Sequence, residues 1–229
     1  MKDGIEGVAF DLDGTLYPNY RLNIRLIPFI LKEWRLLAAF GKARNIIRKE
    51  QDSNTFLSET EFYEQQAEIT ARILSKPTTL VKERIERLIY RGWEPFFKKI
   101  KLYKNSIKTL DAMRKKGYKL GLLSDFPPKT KLEYLGIKDG WDAVLCSEHC
   151  GALKPHPRSF IELAKLMGLP PEKIIYVGNS LSYDVAGAKK AGMKTAWIKR
   201  PASPNPGGKK PKPDFSFYNY RQLYDFMIH

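Results

Sequence analysis

From residue 105 onward the chain alternates short apolar runs with segments of helical spacing that close on glycine. Asn105 to Lys116 reads as a helix ended by Gly117, and Tyr118 to Leu123 as the strand that follows. A short helix is expected over Pro128 to Leu135 and a short strand over Ala143 to Cys146. Pro157 to Met167, closed by Gly168, precedes a strand over Lys173 to Val177. Ser182 to Ala191, closed by Gly192, precedes another over Lys194 to Ile198. Asp214 to Phe217 supplies a last strand before a final helix. Strands spaced by helices in this way are joined by crossovers, so the sheet is expected to be parallel with helices on both faces.

The first strand stands apart from the rest. Gly7 to Phe10 is an apolar run ending in Asp11-Leu12-Asp13-Gly14-Thr15, a turn that carries glycine. Between Tyr17 and Lys104 the pattern is helical throughout. Leu26, Ile30, Trp34 and Leu37 recur at helical spacing, as do Phe62, Ala67, Ile69 and Ile73, then Leu80, Ile85, Leu88 and Ile89; roughly four helices are expected. The fold class is therefore α/β: a Rossmann-like parallel sheet with helices on both faces, built from residues 1–16 and 105–229. Residues 17–104 form an inserted all-helical cap. Pro201 to Pro213, with five prolines and two glycines, reads as a surface loop.

At 229 residues, 43% hydrophobic and 12% aromatic, the chain can bury a full core and does not resemble a disordered one. Its most apolar stretch, Leu22 to Phe40, is broken by Arg25, Lys32, Glu33 and Arg35, so no membrane span is expected. No signal-like segment follows Met1, and a cytoplasmic location is the default. The net charge of +15 would suit nucleic acid, an acidic membrane surface or an anionic small substrate. The basic residues are scattered and no nucleic-acid motif accompanies them, so no nucleic-acid partner is expected. Cys146 and Cys150, with His149 between them, offer too few ligands for a metal site and read as small buried hydrophobes.

In open α/β sheets the reactive crevice lies at the carboxyl ends of the strands. Four polar clusters fall there: Asp11 to Thr15, Ser124-Asp125, Lys154-Pro155, and Gly178-Asn179-Ser180 with Asp184. A carboxylate at a strand end is a competent nucleophile toward phosphorus, and the acyl phosphate it forms can be cleaved by water.

These clusters, in this order and each after an expected strand, resemble the haloacid dehalogenase superfamily. The closest likeness is to the branch with a helical cap between the first and second motifs. DLDGTLYP, LLSDF, SEHCGALKPHP and VGNSLSYDVAGAKKAGMKTAWI carry the resemblance, which spans essentially the whole chain. It implies a phosphatase acting on a small phosphorylated substrate, with Asp11 as nucleophile and Asp13 as general acid and base. Thr15, Ser124, Asp125 and Lys154 would serve the phosphate, Thr15 by positioning the loop. Mg²⁺ would be the cofactor, held by Asp11, the Asp13 carbonyl, Asn179 and Asp184. Tyr17, Tyr20, Arg21 and Arg25, where the chain enters the cap, are the cap residues expected nearest the substrate, the two arginines as anion binders. Linkers near Tyr17 to Asn19 and Lys101 to Lys104 would let the cap close.

One position departs from the pattern. Phosphatases of this family usually have Asp where Asn179 stands, which removes a charge from the metal site. A phosphomutase, a metal-free dehalogenase (disfavoured by Asp13) and a binding protein with a degenerate site remain alternatives.

Overall fold

The computed structural model describes residues 4–51, 57–199 and 211–229. Six strands form one all-parallel sheet: β1 (Gly7–Phe10), β2 (Lys119–Ser124), β3 (Ala143–Cys146), β4 (Ile174–Gly178), β5 (Lys194–Ile198) and β6 (Phe215–Phe217). Their order is β3-β2-β1-β4-β5-β6. β1 lies at the centre, with Gly7 to Phe10 aligned on Lys119 to Leu122 on one side and Ile174 to Val177 on the other. The order reverses direction at β1, which places the topological switch at the end of the strand carrying Asp11.

Alternation along the strands sends side chains into two separate cores. Val8, Phe10, Leu120, Leu122 and Val177 pack with Met113 of α4 (Ser106–Lys115) and Leu223 of the later helix α8 (Tyr220–Ile228). Ala9, Leu123 and Tyr176 face the other way. They meet Phe160 and Leu163 of α6 (Pro157–Leu166) and Ala188 of α7 (Ala186–Lys190). The remaining core helix, α5 (Lys129–Tyr134), follows β2.

The helical insertion lies between β1 and β2. It comprises α1 (Asn19–Glu50), α2 (Glu59–Leu74) and α3 (Thr78–Arg84). α3 runs into a π-helical turn over Ile85–Tyr90, and a short 3₁₀ turn covers Glu94–Lys99. Among the described residues the insert thus holds three α-helices, not about four. The difference lies in α1, which continues for 32 residues through Pro28 and a kink at Glu33 (φ −111°, ψ 20°). α2 starts with a reciprocal cap, Ser58 accepting from the Glu61 amide while Glu61 accepts from the Ser58 amide. The two connecting segments are bound to each other: the Tyr103 amide donates to the Leu16 carbonyl at 2.9 Å, and Arg21 Nη1 donates to the Lys101 carbonyl at 2.8 Å.

The apolar spacing in the insert predicts the buried face only in part. Leu26 is buried, but Trp34 is 58% exposed, and Ile30, Ile73 and Leu80 are also exposed. Cys146 and Cys150 are buried. The proline-rich segment expected to be a loop lies, through residue 210, outside the described residues.

Candidate active site

The site is assembled where β1, β2 and β4 end side by side. Asp11 follows β1, and its amide donates to the Val177 carbonyl at 2.9 Å, so the strand ladder itself fixes the backbone from which its carboxylate projects. The chain then turns sharply through Gly14, whose φ of +92° favours glycine. That turn brings Thr15 back, and its hydroxyl donates to Asp11 Oδ2 at 2.7 Å. The turn is braced from far away: the Tyr220 hydroxyl of α8 donates to the Thr15 carbonyl at 2.8 Å.

Lys154 reaches the other oxygen. Its ammonium is 2.7 Å from Asp11 Oδ1 and 2.8 Å from Asp184 Oδ1, with all three side chains nearly free of solvent. Asp184 sits in a π-helical turn (Leu181–Val185) after β4, and its Oδ2 accepts from the amides of Asn179 and Ser180. Gly178 makes this approach possible, because a Cβ there would stand 2.3 Å from Asp184 Cβ. Burial is the main influence on Asp11 and pushes its carboxyl up to about 7. Lys154 opposes the shift, while Asp184 and Asp13 add to it. Lys154 responds in the opposite sense: burial disfavours its charge, but Asp11 and Asp184 hold the ammonium well above its ordinary range.

Asp13 occupies a different environment. Burial would raise its carboxyl, yet Lys131 of α5, 2.8 Å away, and the Tyr17 hydroxyl together hold it below the ordinary carboxylate range. Two nearby carboxylates are thus driven apart in acidity, Asp11 up and Asp13 down.

Ser124 ends β2 fully buried, and its Oγ accepts from the Phe126 amide at 3.2 Å. Asp125, next in the chain, organises the surrounding loops. It accepts from the Ser147 hydroxyl, from the Lys154 amide at 3.1 Å and from Arg48 at 2.9 Å. Asp11, Asp13, Thr15, Ser124, Asp125, Lys154, Asn179 and Asp184 are therefore all brought to one end of the sheet.

Of the four cap residues, the structure sets Tyr17 against the catalytic-loop carboxylate Asp13, while Tyr20, Arg21 and Arg25 make no contact with the residues gathered at the sheet end. Tyr17 is fully buried, its hydroxyl on Asp13. Tyr20 is 57% exposed, Arg21 binds the second linker, and Arg25 donates to the Arg21 carbonyl. The arginines of the insert that reach the loops of Asp125 and Lys154 are Arg44 and Arg48, about five turns or more further along α1. Arg44 pairs with the buried Glu148, which also accepts from the Tyr90 hydroxyl at 2.9 Å. Arg48 Nε donates to the Lys154 carbonyl at 3.0 Å. Sequence reasoning also passed over Lys131. Nothing in its local pattern marks it, since only the return of α5 beside β1 sets it against Asp13.

Between the insert and the sheet lies a cavity of about 510 Å³. Lys131 and Phe126 form its floor next to Asp13, and Tyr63, Tyr90, Trp93 and Phe97 line its wall. Lys131 lies 5.2 Å from both the Phe97 and Phe126 ring centroids and 2.8 Å from Asp13, so the cavity adjoins that carboxylate.

The haloacid dehalogenase-like hydrolase model matches residues 5–192. The chain belongs to that family. A glyceraldehyde 3-phosphate phosphatase from Methanopyrus kandleri is 32% identical over 97% of both chains. Among solved structures, a HAD phosphatase from Thermococcus onnurineus superposes with a TM-score of 0.63 at 25% identity, covering 97% of this chain and 98% of its own. A magnesium-bound HAD-hydrolase from Bacillus subtilis, YfnB, matches with a TM-score of 0.64 over 97% of this chain and 98% of its own. At 14% identity it supports the fold alone. This haloacid dehalogenase-like chain is a phosphatase of that type, with a helical insertion after its first strand.

Proposed function

We propose that the chain hydrolyses small phosphomonoesters, of the sugar-phosphate or nucleotide class, through a phosphoaspartate on Asp11 with magnesium. The observation that carries this reading is the split between two carboxylates at one strand end. Asp11 is oriented by Thr15 and Lys154, while Asp13 is held in a separate environment by Lys131 and Tyr17.

In this mechanism an Asp11 carboxylate oxygen attacks phosphorus, forming the P–O bond to Asp11 as the bond to the leaving ester oxygen breaks. Lys154, the Ser124 hydroxyl and the amides after Asp11 face the charge that spreads over the phosphoryl oxygens. The leaving alkoxide takes a proton from Asp13. The resting contacts favour the ionised form of Asp13, and an incoming phosphate dianion opposes them by like-charge repulsion. Asp13 then accepts a proton from the water that cleaves the phosphoaspartate.

Magnesium fits the donors by chemistry. Among the described residues no three Asp, Glu, His or Cys side chains form a metal cage. The ion would therefore draw on hard oxygens of mixed kind: the Asp11 carboxylate, the Asp13 carbonyl, the Asn179 amide and the Asp184 side of the loop. Burial is the first cause of the upward shift of Asp11, and Asp184 and Asp13 add to it with negative charge that a bound cation would offset. When bound, the ion would neutralise phosphoryl charge and keep Asp11 ionised.

The leaving group would lie in the aromatic cavity, where Tyr63, Tyr90, Trp93 and Phe126 offer flat faces to a sugar or a base. The three-carbon phosphate named for the Methanopyrus relative is a further candidate. Phosphate release from a panel of phosphorylated metabolites with magnesium tests the reading. Wild type should turn over at least one, and Asp11→Asn should lose it by a factor of a thousand or more. Turnover within tenfold of wild type in the variant would dismiss Asp11 as nucleophile.

A further inference from the structure

The first half of α1 has two apolar faces. One, with Leu22, Leu26, Leu36 and Phe40, is buried against the rest of the protein. The other carries Tyr20, Ile24, Ile27, Leu31 and Trp34, exposed by 57, 59, 50, 72 and 58%. Their spacing puts Tyr20, Ile24, Ile27 and Leu31 on a single stripe within about 60° of arc, and Trp34 follows just past the kink at Glu33. An isolated exposed leucine is ordinary, whereas four in register on one helix, with Trp34 just beyond, mark a surface that is covered in use.

The charge around the stripe identifies the cover. Between Asn19 and Lys49 the helix has one acidic residue, Glu33. It is largely buried and paired with Arg84 at 2.6 Å. Arg21, Arg25, Lys32, Arg35 and Lys42 all lie on the same helix. At the two ends of the stripe a guanidinium lies over an aromatic ring: Arg21 over Tyr20 at 5.9 Å and Arg35 over Trp34 at 5.4 Å. An apolar stripe flanked by cations and ended by Tyr and Trp matches the boundary between lipid headgroups and acyl chains. A second copy of this helix would bring another set of cations against the first, without an acidic partner on either. Nucleic acid would meet apolar side chains at the centre of its contact.

We propose that the outer face of α1 docks the protein on an anionic phospholipid surface, peripherally and without crossing it. No helix among the described residues is long and apolar enough to span a membrane. The residues lining the cavity beside Asp13 come from α2, α3 and the turns after it, the loop after β2, α5 and the turn that carries His149, none from α1. A docked molecule therefore keeps its cleft open to soluble substrates. This inference does not depend on the phosphatase chemistry.

Flotation of the full chain with vesicles of phosphatidylcholine alone, or of equal parts phosphatidylcholine and phosphatidylglycerol, tests it. Wild type should float with the mixed vesicles at low salt, and binding should weaken as salt rises. Ile27→Glu with Leu31→Glu should reduce binding at least tenfold, and so should Lys32→Glu with Arg35→Glu. These side chains are exposed, so circular dichroism and hydrolysis of p-nitrophenyl phosphate should be unchanged. Equal flotation with both vesicle types, or none with either, overturns the proposal. A homodimer in solution that Leu31→Glu dissociates, with no vesicle binding by either form, would assign the stripe to a second copy instead.

Discussion

Arg48 of the inserted helix holds Asp125 of the sheet at 2.9 Å, and the same guanidinium donates to the carbonyl of Lys154. One side chain of the insert thus grips both the loop after β2 and the loop that presents Lys154 to Asp11. Arg48→Ala should lower kcat by about tenfold or more, because it loosens groups that must stay aligned with the reacting phosphorus. Arg48→Lys should recover only part, since an ammonium lacks the planar fork that spans two acceptors. Steady-state kinetics of the three proteins would show it. An unchanged kcat for Arg48→Ala would reduce the contact to a surface pair.

Asp125 supplies a pH signature. Burial disfavours its charge, but Lys154, Arg44 and Arg48 outweigh that and hold the carboxyl below its ordinary range. Its contribution to stability is therefore full above the unfolded value of about 3.9 and is lost as pH falls through the lower folded value. Thermal melts of wild type and Asp125→Asn should differ by a constant amount from pH 6 to pH 8. The gap should close on acidification below about pH 4. A gap that closes near neutrality would point to another group.

Arg44 and Glu148 form the most enclosed ion pair between insert and sheet, their side chains 5% and 0% exposed. Arg44→Met leaves Glu148 buried and uncompensated, at an expected loss of about 3–5 kcal/mol. Arg44→Met with Glu148→Gln removes the stranded charge and should recover part of that loss. Urea unfolding of the three variants provides the comparison. Equal losses in the single and double variants would show that packing, not charge, is at stake.

In the proposed mechanism Asn179 tunes the magnesium requirement. Its place beside Asp184 gives the site one anionic oxygen fewer than an aspartate would, and charge count tunes the affinity for hard cations. Asn179→Asp should saturate at lower magnesium in a phosphatase titration, while wild type should still lose activity in a chelator. Superimposable titrations would leave Asn179 as a cap for the following turn.

The strands and the polar clusters at their ends were legible because each is a local signal: an apolar run, a glycine stop, a short motif. Asp11, Ser124, Lys154 and Asp184 could be placed at one sheet edge from that pattern alone. What joins them could not. Lys131 meets Asp13 across 118 positions and Arg44 meets Glu148 across 104. No periodicity encodes such pairings. Arg21 and Arg25 follow the Asp11 turn directly in sequence, yet the arginines of α1 whose contacts reach the loops of Asp125 and Lys154 are Arg44 and Arg48, and adjacency in sequence does not encode that reach. The 3.6-residue pattern also misled at Trp34, since it reports that a face is apolar without saying what covers it.

Tyr220 anchors the Thr15 carbonyl across 205 positions, and this has a consequence during protein synthesis. The turn that bears Asp11 leaves the ribosome long before the residue that braces it has been translated. Until α8 docks, the carbonyl of Thr15 lacks this brace, although β4 and Lys154 can already hold Asp11 itself. A nascent chain arrested before residue 220 should therefore carry the Asp11 turn without its settled geometry, and full ability to cleave phosphate esters should await α8.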